Sequence, residues 1–208
     1  MRRLSQHLSR RWVLAPITAL TLLSACTRNI TPVVSLSPVE RQALDQSALV
    51  LISDEITNYE MSTSTTGGLS RSYFDMGPGV SDALDQMFHQ VFREVEVRRN
   101  VGRAAQMQAV ANASDLSQDY LVIPTLQATV EPGPFGTGIE VDISADFFNT
   151  QTGQSTVLTA EGRDEARFGG LGGTAETAIS DAITDLRSQI FNILGSRYPS
   201  RRNRHVLI

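Results

Sequence analysis

The sequence contains no lysine, one cysteine (Cys26) and three histidines, and aromatic residues make up only 6% of its 208 positions. The absence of lysine excludes a Schiff-base nucleophile and the lysine of a phosphate-binding loop. A single cysteine excludes a disulfide within the chain, and His7, His89 and His205 are too few to build a zinc site with it. We therefore expect no metal ion, no cofactor and no catalytic residue set.

Charge is distributed unevenly along the chain. Removing residues 1–25 takes away four arginines and no acid, which leaves 14 arginines against 22 acids and a net charge of −8. All of the acids lie between Glu40 and Asp185. Nucleic-acid binding requires a basic surface. The acidic body therefore indicates that nucleic acid is not a partner.

The first 25 residues have the pattern of a secretory signal peptide. Arginines precede an apolar run from residue 12 to residue 23, and the small residues Ser24 and Ala25 follow it. The run contains Pro16 and is only about a dozen residues long, whereas a membrane-spanning helix needs roughly 20 apolar residues. We expect residues 1–25 to be cleaved off and not to span the membrane.

The end of this segment, Leu23-Ser24-Ala25-Cys26, resembles the lipobox of bacterial lipoproteins at all four positions. The resemblance implies cleavage between Ala25 and Cys26, a diacylglycerol on the sulfur of Cys26 and an acyl chain, such as palmitate, on its new amino group. Two or more acyl chains hold a protein stably on a bilayer, whereas a single chain binds only marginally. The next residue is Thr27 and not aspartate, which in this family implies the periplasmic side of the outer membrane.

The mature chain divides into three parts by composition. Residues 26–44 include Pro32 and Pro38 and carry little charge, as expected for a lipidated tether. Residues 45–195 contain the regular hydrophobic patterns and are expected to form one α+β domain in the periplasm. Residues 196–208 form a basic C-terminal tail without acids.

The hydrophobic patterns predict four strands and three helices, together with a short strand at residues 94–97. The other strands are predicted at residues 48–52, 119–130, 139–147 and 154–168, and the helices at residues 80–91, 102–113 and 174–195. Pro124 places its strand at an edge or a bulge. The predicted fold is a four- to five-stranded antiparallel or mixed sheet, with two long helices and one short helix packed on one face.

A glycine-rich segment at residues 170–175 matches the G-x-G-x-x-A fingerprint of dinucleotide-binding folds. That site also needs a further parallel strand after the helix, with an acid for the ribose, and here the chain runs into the arginine-rich tail. The glycines are more simply explained by the sharp turn that returns the helix onto the sheet. We expect no nucleotide partner.

His89, Ser81 and Asp85 lie on the first predicted helix at a spacing that would align them along one face. A catalytic serine also needs a strained turn and oxyanion donors, which a helix surface does not provide. His89 is therefore interpreted as a surface residue, or as one that contacts a partner.

Acids alternate along the strand at residues 139–147, where Glu140, Asp142 and Asp146 share one face. Their spacing of about 7 Å for every two residues falls in the range used by glycosidases. A solvated face on which Arg163 and Arg167 sit opposite the acids is the simpler interpretation. The catalytic interpretation remains as an alternative.

Two features are candidate partner contacts. Phe135 is the single aromatic residue in the glycine- and proline-rich segment 132–138, where nothing nearby in the sequence would bury it. The tail carries Arg201, Arg202 and Arg204, which suit anionic headgroups or an acidic partner.

The order of the elements resembles the small periplasmic module of envelope-assembly lipoproteins: the curli-secretion lipoprotein, the amino-terminal domain of TolB and the lipopolysaccharide-assembly lipoprotein. The segments that carry the resemblance are residues 49–52, 80–92, 109–122 and 147–153 and the closing helix. It implies a non-catalytic module that recognises envelope proteins. No long insertion supplies transmembrane hairpins of the curli type, so no pore is expected.

The sequence therefore predicts a lipid-anchored periplasmic protein that acts as an assembly or interaction module of a cell-envelope complex. Two alternatives stay open. One is a hydrolase of envelope glycans or lipids that uses the acid strand, and the other is a lipid carrier.

Overall fold

The computed structural model describes residues 26–64, 70–132, 136–167 and 170–197 and has an α+β fold. Its strands are β1 (Cys26–Ile30), β2 (Leu44–Ser53), β3 (Glu60–Ser64), β4 (Ser70–Asp75), β5 (Phe92–Val101), β6 (Tyr120–Pro132), β7 (Gly136–Asn149) and β8 (Ser155–Arg167). Its α-helices are α1 (Asp54–Thr57), α2 (Gly77–Val91), α3 (Arg103–Ala111) and α4 (Leu171–Arg197). Within this described part, no helix is both long and apolar enough to cross a bilayer.

The main sheet has five strands in the order β5-β2-β6-β7-β8. Strand β2 is parallel to both β5 and β6, whereas β7 is antiparallel to both β6 and β8. The sheet is therefore mixed, which is one of the two arrangements predicted from the sequence. Its alternating strand β7 buries Ile139, Val141, Ile143, Ala145 and Phe147 on one face, because successive side chains of a strand point to opposite sides.

Helices α2 and α4 cover that buried face. Their apolar residues form one core with Ala48, Val50 and Ile52 of β2. Aromatic rings occupy the centre of the core, where Phe88, Phe92, Tyr120 and Phe147 have neighbouring centroids 6.3–6.5 Å apart. Ring pairs at this separation add to the stabilisation from apolar burial.

The short helix α3 packs on the opposite face of the sheet, which corrects the prediction that all helices lie on one side. Leu49, Leu51 and Leu121 form a second buried cluster, and residues of α3 such as Ala109 and Val110 pack against it. The reason is the uninterrupted apolar run of β2: a strand that is apolar on both faces needs cover on both. The fold also has one more helix than predicted, the single turn α1.

A second, three-stranded sheet has the order β1-β4-β3 and was not predicted. Strand β1 is parallel to β4, and β3 and β4 form an antiparallel pair. The inner end of this sheet reaches the main core, because Ile30 and Phe74 are buried there.

The segment predicted to be a tether, residues 26–44, lies along the folded body. After β1, Pro32 and Val34 are buried, and a Cβ added to Gly79 at the start of α2 would lie 2.4 Å from the carbonyl oxygen of Pro32. The backbone of this segment therefore packs directly on α2, and only a residue without a side chain fits at position 79.

Arg187 of α4 fixes the same segment from the other side. Its guanidinium group donates hydrogen bonds to the carbonyl of Ser37 at 2.9 Å and to the side chain of Gln90 at 2.6 Å. Only 8% of the residue is exposed, and burial lowers the pKa of Arg187 below its usual value. A cation held in this way ties residues 31–43 to α2 and α4.

Helix α4 begins at Leu171, three residues before the predicted start at residue 174, and is 27 residues long. It approaches β8 very closely, since a Cβ added to Gly162 would lie 2.0 Å from the carbonyl oxygen of Ala178 and 2.6 Å from the nitrogen of Ala182. The small residues of α4 and the glycine of β8 together permit this contact.

Candidate functional site

Cys26 is the first residue of β1, so the predicted lipid attachment point belongs to a strand of the folded body. Its register partner is Ser70, and the next pair joins Thr27 to Arg71. One guanidinium nitrogen of Arg71 donates to the hydroxyl of Tyr73 at 3.1 Å, and its carbon lies 5.8 Å from the centroid of that ring. A cation and an aromatic ring are therefore paired beside the predicted anchor.

The face of β6, β7 and β8 that points away from α2 and α4 is rich in acids. Arg163 is its central cation and lies 2.7 Å from Glu131, 3.8 Å from Glu140 and 3.9 Å from Glu165. The other acids of this face are Asp142, Asp146 and Glu161, which follow from the alternation of the two strands. The face is therefore strongly negative: Arg163 lies among the named acids, and Arg167 has the same alternation at the end of β8.

The register confirms only part of the expected pairing of charges on this face. Glu140 lies opposite Arg163, as expected, but Asp142 lies opposite Glu161 and Arg167 lies opposite Gly136. Like charges directly across a ladder destabilise it. The acids are therefore not neutralised in pairs.

Asp142 and Glu161 are the two carboxylates that the register brings closest to the arrangement of a glycosidase. Asp146 lies opposite Val157, and its Oδ1 atom is buried without a hydrogen-bond partner. The hydroxyl groups of Ser144 and Thr159, the register pair between Asp142/Glu161 and Asp146/Val157, are hydrogen bonded to each other at 2.9 Å. Chemically, this arrangement suits contact with a basic surface, and the hydrolase remains an alternative.

The structure does not assemble Ser81 and His89 into a nucleophile and base. The Ser81 hydroxyl donates to the carbonyl of Gly77 at 2.7 Å within its helix and is buried. The imidazole Nδ1 of His89 lies 2.9 Å from both the carbonyl oxygen and the Oδ1 atom of Asp85. Asp85 in turn accepts a hydrogen bond from Arg99 at 2.5 Å, so this carboxylate serves a surface ion cluster.

Arg99 joins two acids of α2 to β5. It donates to Asp82 and to Asp85, each at 2.5 Å. Partial burial acts to lower the pKa of Arg99, but the hydrogen bonds to Asp82 and Asp85 outweigh it and raise that pKa above its usual value. The cluster stabilises the packing of α2 beside β5 and holds its arginine firmly charged.

A cavity of about 340 Å³ lies between α3 and the sheet. Its walls are mostly apolar, with Arg98, Gln108 and Asn112 as the polar exceptions; the remaining lining residues are Leu49, Leu51, Val101, Ala105, Ala109 and Leu116. Gln106 of α3 donates to the carbonyl of Leu51 at 3.0 Å and so helps to hold the helix over the cavity. No sequence motif predicts this site, although the apolar run at residues 48–52 indicates that the sheet is covered on a second face.

The glycine-rich residues 170–175 form the first turn of α4. Thr174 donates its hydroxyl proton to the carbonyl of Gly170 at 3.2 Å, and Ala175 is fully buried. Within residues 170–197, the helix is not followed by a strand. The glycines therefore begin the helix that returns onto the sheet, as expected.

The other predicted site residues lie outside the described residues. These are Ala25 of the cleavage site, Phe135 of the loop, and Arg201, Arg202 and Arg204 of the tail, so their roles stay predictions. Among the described residues, no three histidine, cysteine, aspartate or glutamate side chains are arranged to hold a metal ion.

No family model matches the sequence, and no curated protein is similar to it. Among solved structures, the protein XCC0632 of family DUF330 from Xanthomonas campestris has a TM-score of 0.49 and 12% identity, covering 81% of this chain and 99% of that chain. The PelC dodecamer from Paraburkholderia phytofirmans has a TM-score of 0.37 and 16% identity, covering 74% and 94%. Lipoprotein GNA1162 from Neisseria meningitidis has a TM-score of 0.36 and 14% identity, covering 73% and 99%. Similarities this low assign no activity to the chain.

Proposed function

We propose that this chain is a lipid-anchored protein on the periplasmic side of the outer membrane and that it acts, without catalysis, as an interaction module of a cell-envelope complex. One observation carries the proposal: the only cysteine stands at the fourth position of the lipobox, and it is also the first residue of β1. Cleavage before Cys26 would leave the acylated residue at the start of the folded body.

Metabolic labelling tests the anchor. The full chain is expressed in a Gram-negative host with a clickable palmitate analogue, and the label is expected on Cys26 and in the outer-membrane fraction. The variant Cys26→Ser is expected to lose the label and to leave the membrane. An unlabelled protein, or a labelled protein confined to the inner membrane, would contradict the anchor or its sorting respectively.

The acidic face of β6, β7 and β8 is the proposed contact for an envelope partner. Its acids are incompletely neutralised, and Val157 adds an apolar side chain that is 59% exposed. Complementary charge favours and orients such encounters. The chemistry of the face therefore suits a partner with a basic surface, such as an arginine- or lysine-rich envelope protein.

Site-specific photocrosslinking in the intact envelope tests this contact. A photoreactive residue at Thr159, which is exposed on the acidic face, is expected to give a discrete crosslinked product. The same residue at Met107, which is 67% exposed on α3, is the matched control and is expected to give little. Equal products at both positions, or none at Thr159, would speak against the face as the contact.

The cavity beneath α3 supports a second candidate function, that of a lipid carrier. Its volume of about 340 Å³ lies at the lower end of typical ligand sites, which are also mainly apolar with a few polar groups. Organic extraction of the purified protein followed by mass spectrometry would identify a bound lipid. Ala109→Phe, which fills the cavity, is expected to reduce the extracted lipid, whereas Ala104→Phe on the exposed side of α3 is not; unchanged lipid in Ala109→Phe would refute the carrier.

A further inference from the structure

We propose that the outer end of the small sheet contacts phospholipid headgroups and fixes the orientation of the body on the membrane. The surface, termed the headgroup face, consists of Thr27, Asn29, Ser64, Arg71 and Tyr73. This inference rests on the proposed function, because it takes Cys26 to be acylated. It goes beyond that function by assigning a lipid-binding surface to residues that lie outside the lipobox.

The strand register places these residues beside the anchor. Thr27 pairs with Arg71, which pairs in turn with Ser64, and Asn29 pairs with Tyr73. Residues two apart along a strand share a face, and neighbouring strands are about 4.8 Å apart. The backbone of Arg71 is therefore one strand away from the residue that follows Cys26. Tyr73 pairs with Asn29, so it lies about 10 Å from the Cys26 end along the strand direction.

The chemistry of the pair suits the interface between water and lipid. The five residues of the headgroup face are polar or amphipathic, and Arg71 and Tyr73 are both exposed. Tyrosine rings are enriched at the headgroup level of membranes, and an arginine guanidinium group binds phosphate through paired hydrogen bonds. The stacking of Arg71 on Tyr73 presents both groups together.

The distribution of charge along the small sheet indicates which of its ends faces the membrane. Arg71 lies near the Cys26 end, whereas the acids Glu60 and Asp75 are register partners at the other end. Five residues of strand separate Ser70 from Asp75, which is about 16 Å. With the Cys26 end on the bilayer, Arg71 meets the anionic phosphates and the acids stay away from them.

The attachment is rigid enough for this orientation to persist. Strand β1 is held to β4 by five consecutive register pairs. The residues that follow it are held by Arg187 and by Glu176, whose side chain accepts a hydrogen bond from the backbone of Val33 at 3.2 Å. An acylated Cys26 would therefore place the body on the bilayer without a long free spacer.

Fluorescence quenching tests the headgroup face. The acylated full-length protein is purified in detergent and reconstituted into vesicles of phosphatidylcholine and phosphatidylglycerol that contain lipid brominated near the top of its acyl chains. The only tryptophan, Trp12, lies in the predicted signal peptide, so Tyr73→Trp gives a single reporter in the mature chain. Val157→Trp on the acidic face is the matched control. The emission of Tyr73→Trp is expected to be quenched at least twofold more than that of Val157→Trp. Equal quenching of the two variants would overturn the proposal.

A second measurement uses the natural residues. Phenylglyoxal modifies arginine, and its rates at Arg71 and Arg93 are compared by mass spectrometry in detergent and on vesicles. Arg71 is expected to react several-fold more slowly on vesicles than in detergent. Arg93, at the start of β5, is expected to react at the same rate in both. An equal vesicle-to-detergent rate ratio for the two arginines would overturn the proposal. The mass of the same sample reports acylation of Cys26. An acylated protein without protection refutes the headgroup face alone, whereas an unacylated protein refutes the proposed function and this inference with it.

Discussion

The hydroxyl group of Tyr59 makes two hydrogen bonds with the backbone of Ala128: it accepts one from the N–H at 2.9 Å and donates one to the carbonyl at 3.2 Å. Strand β6 pairs with β2 only from Tyr120 to Val122, so its next residues form an open edge on that side. The hydroxyl of Tyr59 therefore makes the two backbone hydrogen bonds that a neighbouring strand would otherwise make with Ala128. Pro124 has the same alternation as Ala128, so its missing N–H falls on this open edge and costs no ladder bond.

Tyr59→Phe is therefore expected to destabilise the protein by about 1–3 kcal/mol, since a partly buried N–H and carbonyl lose their partner. Urea unfolding gives the free energy. The matched control Tyr73→Phe removes a hydroxyl from an exposed ring and is expected to change stability by less than about 0.5 kcal/mol. Equal effects of the two variants would contradict the role of Tyr59.

Gly162→Ala is expected to weaken the packing of α4 on β8. The new methyl group would overlap the backbone of Ala178 and Ala182, and overpacking of this kind typically costs about 1–3 kcal/mol. Thermal unfolding measures the loss. Gly173→Ala is the control, because nothing lies within 4 Å of that position in the same helix, and it is expected to stabilise the helix slightly. A neutral Gly162→Ala would mean that the helix can move away from β8 at little cost.

Arg187→Met is expected to release the segment at residues 31–43. The carbonyl of Ser37 and the side chain of Gln90 lose their buried donor, with an expected cost of about 1–3 kcal/mol. Trypsin should then cleave after Arg41 several-fold faster. Arg93→Met, which removes an exposed ion pair with Asp45, should leave the cleavage rate unchanged, because such pairs contribute little. Resistance of Arg187→Met to trypsin would show that other contacts suffice.

Asp142→Asn is expected to stabilise the protein by about 0.2–1 kcal/mol at low salt, because it removes a like charge opposite Glu161. The gain should shrink in 1 M salt, where electrostatic screening acts over about 3 Å. Glu140→Gln, opposite Arg163, is the control and should not stabilise. A gain that does not depend on salt would point to packing and not to charge.

The purified protein is expected not to digest cell-wall glycans. A turbidity assay with isolated cell walls checks this, and the double variant Asp142→Asn/Asp146→Asn should behave as the unchanged protein does. Digestion that the double variant abolishes would favour the hydrolase over the interaction module.

The sequence predicts the main sheet well where burial imposes a period. Strand β7 alternates, and α2 has apolar residues at helical spacing, because each buries one face. Strand β1 has no such signal: among residues 27–30 only Ile30 is buried, and the strand is held by β4, which is distant in the sequence. Its pairing depends on tertiary structure that local patterns do not encode.

The candidate site also has features that local sequence predicts and features that depend on tertiary structure. The proposed lipobox is a linear motif, so Cys26 is predicted as the lipid attachment point without any structure. The pairing of Arg71 with Tyr73 beside it, and the opposition of Asp142 and Glu161, depend on register, which composition does not reveal. The cavity beneath α3 is an intermediate case, because the apolar run of β2 predicts a covered second face but not what covers it.

The parallel pairing of β1 with β4 also has a mechanical consequence. If Cys26 is acylated as proposed, traction from the bilayer would enter the protein at Cys26 and run along the axis of β1. A ladder loaded along its axis shears, so that its five pairs share the load, whereas a ladder pulled sideways opens one pair at a time. If Cys26 carries the proposed lipid, growth or bending of the envelope would thus load this attachment without readily peeling β1 from β4.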